Sequence, residues 1–300
     1  MYIDKNLRDQ WRKKSIAEKK KILYIVEAMG GGIFTYIVDL ANELVNSYDM
    51  YIAYAVQKQA PENYKDYFDK RIHLIEVKNF GRAIDSAKDI SAFFEVKKIA
   101  AKIKPDVIHL HSSKAGAIGR VAFNGKIPMF YTPHGYSFLM ENYKPMKRRM
   151  FKVIESVCAK KKAIYTAIEK IATPFCEKII CISEAERQSA LDKKICKEDK
   201  LQVIFNGVDI EAYENGVHGA VKREDLNIPD DAFVVGMVVR MSPQKAPDVF
   251  VKMAKQVKEK VLMHTSLLLA TEIKKPKLES MWRTMVSRTT CILQAGLITR

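Results

Sequence analysis

The sequence predicts an α/β chain built around parallel sheet, in two domains. Three observations predict it. Short apolar runs alternate with segments of helical period from residue 21 onward. Gly30-Gly31-Gly32 stands between the first such run and the first helix. A polar stretch after about residue 210 gives way to a second strand–helix pattern starting at Phe233.

Residues 1–20 are basic and polar, and read as a solvated arm or frayed helix. "KKILYIVEAM" is a continuous apolar strand that stops at the glycines, and "FTYIVDLANELV" repeats its apolar residues near every 3.6 positions. "MYIAYAV" and "IHLIEV" are further strands, and "ISAFFEVKKIAAKIK" is an amphipathic helix. Pro105 precedes the strand "DVIHLHSS". "AGAIGRVAF" is a helix of small residues, and "PMFYTPHG" is a strand running into a turn. Residues 141–178 read as helical and heavily basic. "KIICIS" is a strand whose Ser183 caps a helix starting at Glu184, and "LQVIFNGVD" is a last strand leading to an Asn-Gly turn. Strands without polar alternation are those of a parallel sheet covered on both faces.

The 300 residues include 51 Lys and Arg against 35 Asp and Glu, a formal charge of +16 that implies an anionic partner. Nucleic acid, phosphorylated ligands and an acidic membrane surface all fit. No helix-turn-helix, zinc-binding or RNA-binding pattern is present, so nucleic acid is not expected. Cys158, Cys176, Cys181, Cys196 and Cys291 form no CxxC pair, as expected of reduced thiols in the cytosol. No signal peptide or membrane-spanning run is read, and a cytoplasmic protein touching the inner membrane face is expected.

Each candidate site residue has a plain structural reading beside the functional one. Gly30, Gly31 and Gly32 make either a tight turn or an anion cradle at a helix N-terminus. His109 and His111 alternate on one strand and so share a face; without a third ligand they read as structural histidines rather than a metal site. His134 leaves a strand between Pro133 and Gly135, where ligands of open parallel sheets collect, and is either a site residue or a backbone-held histidine. Lys147, Arg148, Arg149 and Lys152 interleave with apolar residues, either on an anionic membrane or acceptor surface or on a solvated helix. Arg240 ends the strand "VVGMVVR", and Lys245 follows the turn "MSPQ". A planar fork and a mobile cation placed there suit a diphosphate.

Taken in order, "GGG", "PDVIHLHSSKAGAIGR", "YTPHGYSF", "IICISEAER", "VIFNGVD" and "GMVVRMSPQKAPD" resemble glycosyltransferase family 4, in the branch that builds bacterial surface polysaccharides. The resemblance implies the GT-B fold, two facing Rossmann-like domains with a nucleotide-sugar between them. It implies retaining glycosyl transfer without a metal or cofactor, from a UDP-linked donor to a lipid-linked glycan. Arg240 and Lys245 would grip the donor diphosphate, Gly30 to Gly32 would cradle phosphate or acceptor, and His134 would lie near the reacting sugar. A nucleotide-sugar epimerase of similar architecture is the alternative.

The resemblance stops near Val261. The family's late motif, two glutamates eight apart, does not follow Lys245. Loss of one base before Leu262 would restore a family-like strand ending in Gly-Asp-Gly. The expected organisation is therefore an arm (1–20), an acceptor-side domain (21–215), the start of a donor-binding domain (230–261) and an out-of-frame tail (262–300). In that reading the second domain is incomplete, and the chain is either a working transferase or an inactive remnant of one.

Overall fold

The computed structural model describes residues 19–27, 29–56, 60–81, 86–139, 163–207, 210–214, 222–226, 229, 233–239, 245–260, 264–270 and 292–295. The chain divides into two units, Met1–Val208 and Asp209–Arg300.

The first unit holds a seven-stranded sheet. Its strands are β1 (Lys21–Val26), β2 (Asp49–Tyr54), β3 (His73–Glu76), β4 (Val107–His111), β5 (Met129–Thr132), β6 (Lys178–Cys181) and β7 (Leu201–Val203). The spatial order is β3-β2-β1-β4-β5-β6-β7, with every pair parallel. Parallel strands need crossovers, and helices α1 (Gly31–Leu44), α2 (Ser86–Ile103), α3 (Ser113–Phe123), α4 (163–172) and α5 (Glu184–Asp192) lie between them in sequence. Strand β1 is buried on both faces. Tyr24 and Val26 pack with Phe34, Ile37 and Val38 of α1. Leu23 and Ile25 belong to the core on the other face, with Ala92 and Val96 of α2 and Ala115 of α3. That two-sided burial is why the strand reads as an unbroken apolar run. The order reverses between β1 and β4, and at such a switch point the loops diverge and leave a crevice.

The small residues of α3 let it sit hard against the sheet. A Cβ on Gly116 would stand 2.3 Å from the Tyr131 ring, and one on Gly119 would stand 2.4 Å from Leu110. Arg120 of the same helix is fully buried, and its Nη2 pairs with Glu169 of α4 at 2.7 Å. Its Nε donates to the Gly116 carbonyl at 2.8 Å, and its guanidinium lies 4.2 Å from the Tyr131 ring centroid. The Tyr131 hydroxyl donates to the other Glu169 oxygen at 2.8 Å. This network ties α3, α4 and β5 together. Cys176 and Cys181 are buried free thiols.

The second unit contains β8 (Phe233–Val239), α7 (Pro247–Lys260), β9 (His264–Ala270) and β10 (Ile292–Ala295). The three strands form a parallel sheet in the order β10-β9-β8. The sequence pattern is expected to end at Val261, but strands form beyond it: "HTSLLLA" and "ILQA" are apolar enough to pair. The stretch read as a polar linker carries a short helix, α6 (Ile210–Glu214), and a 3-10 turn at Glu224–Leu226. The basic residues Lys147, Arg148, Arg149 and Lys152 lie outside the described residues. No described helix is long and apolar enough to cross a membrane.

Candidate functional site

Three strands end side by side at the switch point. Val26 of β1 is in register with His111 of β4, and His111 with Thr132 of β5. The segments leaving these strands therefore meet at one edge of the sheet. Gly30 is the N-cap of α1, in extended backbone, and no side chain caps the helix. No acidic residue sits in the first turn. The leading amides of a 14-residue helix are thus left for a ligand, and the helix dipole favours an anion there. Gly31 has φ of 60°, which a glycine adopts without strain, and a Cβ at Gly31 or Gly32 would meet nothing within 4 Å.

The other two exits are strained. Ser112, after β4, has φ of 76° and ψ of 158°, a region close to glycine-only. Its hydroxyl donates to Glu27 at 2.8 Å, and its amide donates to the Thr132 carbonyl at 3.0 Å. His134, after β5, has φ of 54°, and Gly135 follows at 92°. Left-handed backbone at a non-glycine residue persists only where its surroundings impose it. Glu186 imposes it here: one carboxylate oxygen accepts from the Gly135 amide at 2.7 Å and the other from the Ile182 amide at 2.8 Å. Ser183 caps α5 as expected, accepting from the Glu186 amide at 3.1 Å.

This geometry gathers three imidazoles. The Nε2 of His109 lies 2.8 Å from the Thr132 hydroxyl. The Nδ1 of His111 lies 3.1 Å from Nε2 of His134, the two rings meeting edge to edge with centroids 5.3 Å apart. Tyr36 of α1 meets His134 edge-on at 4.7 Å, and Tyr24 meets His111 at 4.8 Å. Burial disfavours the charged imidazolium at all three. It pushes His109 down to about 3 and His134 to about 4, and holds His111 well below the ordinary range, with the neighbouring histidines adding to the effect on His109 and His111. All three are neutral at neutral pH, so this edge offers hydrogen bonds rather than charge. His134, at about 4, is a poor general base there.

Gly30, Gly31, Gly32 and His134 therefore stand at one edge of the sheet. His109 and His111 share a face, as their alternation predicts, but they are not both satisfied: Nε2 of His111 is buried with no partner among the described residues. His134 supplies the third imidazole that sequence spacing did not reveal. No group of three or more His, Cys, Asp or Glu among the described residues is placed to hold a metal ion. Lys245 belongs to the second unit, exposed and just before the N-terminus of α7. Arg240 lies outside the described residues. Glu186 was missed as a site residue, although Ser183-x-x-Glu186 has capping-box spacing. Its carboxylate serves a neighbouring loop as well as its own helix.

The chain is similar to several known proteins. It is 29% identical over 205 residues to the Escherichia coli UDP-Gal:alpha-D-GlcNAc-diphosphoundecaprenol alpha-1,3-galactosyltransferase, a match covering 67% of this chain and 49% of that one. The chain thus spans about half the length of that relative. Among solved structures, a glycosyltransferase from Rickettsia africae superposes with a TM-score of 0.63 at 16% identity, over 93% of this chain and 69% of the other. The UDP-GlcNAc 2-epimerase of Methanocaldococcus jannaschii superposes with a TM-score of 0.57 at 11% identity, over 93% and 74%. Both enzymes share the architecture, so the fold does not separate transferase from epimerase. The sequence does: the pattern of Glycosyltransferase Family 4 matches residues 30–212, more than half the chain and including Gly30, His111, His134 and Glu186, and the chain belongs to that family.

Proposed function

We propose that the protein moves a sugar from a nucleotide-sugar donor, UDP-linked, to a lipid-linked glycan acceptor, with retention, in surface polysaccharide synthesis. The observation that carries the proposal is the edge at which uncapped glycine amides and the strained His134 stand together, inside the family match. The name of the Escherichia coli relative supports a UDP-linked donor and a diphosphate-lipid acceptor. In the transfer, the bond from the anomeric carbon to the donor diphosphate breaks and a bond to an acceptor hydroxyl oxygen forms. The hydroxyl proton ends on the departing diphosphate. Neutral His134 contributes a hydrogen bond to the sugar, and the leading amides of α1 contribute partial positive charge to phosphate or acceptor. Arg240 and Lys245, in the second unit, grip the diphosphate and offset the charge it gains on leaving.

A position at the inner membrane face is part of the proposal. An apolar groove of about 670 Å³ runs over the first unit, lined by Ile90, Phe93, Val121 and Ile171, among others. Phe94, on its wall, is 62% exposed, and Ile171 is 69% exposed. Exposed Lys97, Lys98 and Lys170 lie on the same helices, a composition suited to an anionic bilayer.

Titrating UDP into the protein by calorimetry tests the donor half. UDP is expected to bind, and Arg240→Ala to weaken it roughly tenfold or more, the worth of a charge-assisted hydrogen bond of about 1.5–3 kcal/mol. Equal affinity in wild type and variant overturns the diphosphate assignment.

A further inference from the structure

The His111–His134 pair fixes more than the position of a ring. A hydrogen bond between two neutral imidazoles needs a proton on one of the two facing nitrogens. If Nε2 of His134 carried it, His111 would be an acceptor at Nδ1 and would hold its own proton on Nε2. That nitrogen is fully buried and has no partner among the described residues. An orphaned buried N–H is the arrangement proteins avoid most. If instead Nδ1 of His111 carries the proton, Nε2 of His111 keeps only an unused lone pair. Nε2 of His134 then accepts, and the remaining proton of His134 must lie on Nδ1.

We propose that His111 is a positioning residue that holds His134 in the Nδ1–H tautomer, so that His134 presents an N–H donor to an oxygen acceptor of the ligand, a sugar hydroxyl or a phosphate oxygen. Three features support it beyond the 3.1 Å contact. The rings meet edge to edge, 28° from coplanar, as an in-plane N–H···N bond requires, and Tyr36 and Tyr24 pack against them in T-shaped contacts that restrict their turning over. The backbone of His134 is pinned by the Gly135–Glu186 bond one residue away. No described residue bonds Nδ1 of His134, while the residue itself is partly exposed, which leaves that nitrogen for a ligand. A neutral donor so placed distinguishes ligands by where they carry an oxygen lone pair, and it is set before any ligand arrives. Its use as a substrate contact rests on the proposed transfer, but the tautomer does not.

Nitrogen-15 NMR of histidine-labelled protein at pH 7 decides it, with the His134 signals assigned by their loss in His134→Ala. The expected result is a protonated Nδ1 and an unprotonated Nε2 at His134. His111 should carry its proton on Nδ1. His111→Asn, in which the His111 signals disappear and whose amide N–H stands close to where Nδ1–H stood, should keep the Nδ1–H form at His134. A His134 protonated at Nε2 in the wild type overturns the proposal, as does a His111 protonated at Nε2. Transfer should fall about tenfold in His111→Leu, the worth of one hydrogen bond, and recover in His111→Asn. If the tautomer is as expected and the wild type transfers no sugar, the functional reading fails while the tautomer assignment holds.

Discussion

Glu169→Ala is expected to destabilise the first unit by about 3–5 kcal/mol, the usual effect of removing one member of a buried ion pair. Arg120 is fully buried and Glu169 is 3% exposed, so the orphaned guanidinium could not reach water. Truncation would also strip the Tyr131 hydroxyl of its acceptor. A loss of that size is a large share of the roughly 5–15 kcal/mol that holds a typical domain together. Urea denaturation followed by circular dichroism measures it. The double variant Arg120→Met, Glu169→Leu is expected to recover much of the loss, because a buried apolar pair of similar volume is often neutral or better. A single-variant loss under about 1 kcal/mol would mean that the pair is better solvated than its geometry implies.

Acid should destabilise the protein well before its carboxylates are protonated. His109, His111 and His134 are neutral in the fold, with values pushed far below the ordinary 6.5. The unfolded chain takes up protons at these residues as pH falls through about 6.5, and the folded chain does not. Their contribution is complete above about pH 6.5 and falls as pH drops. The loss ends near 4 for His134 and near 3 for His109, where the fold is protonated too. Each proton contributes about 1.4 kcal/mol per pH unit, so the three together approach about 4 kcal/mol per unit below pH 6. Glu186 acts in the opposite sense: burial raises its carboxyl, so the fold gains slightly from proton binding there. Urea midpoints at pH 7 and pH 5 are expected to differ clearly, with the lower value at pH 5. Equal midpoints would show that the imidazoles are solvated.

The strands of the first unit were legible as short apolar runs, most clearly β1, which is buried on both faces with Leu23 and Ile25 serving one core and Tyr24 and Val26 the other, whereas their spatial order was not read from the sequence. The place of Gly30 to Gly32 and His134 at strand exits, where sites of parallel sheets collect, was legible. The links between those residues were not legible. Glu186 lies 51 positions from Gly135, and His111 lies 23 from His134. Such pairs form only when crossovers bring distant strand exits together. The burial of Arg120 was not legible, because nothing local shows that Gly116 and Gly119 press that face of α3 into the sheet. Beyond Val261 the regular spacing and the family motifs both end, yet "HTSLLLA" and "ILQA" still pair as strands, since strand formation requires only short apolar segments and a neighbouring edge.

The most direct test of the proposed transfer is to incubate the protein with a panel of UDP-hexoses and a polyprenyl-diphosphate-linked sugar, and to read the new anomeric proton of the product by NMR. The expected result is one α-linked product from an α-configured donor, with the rate falling at least about a hundredfold in His134→Ala through loss of a contact at the reacting sugar. A β-linked product, the absence of any product across the panel, or an undiminished rate in His134→Ala would contradict the account.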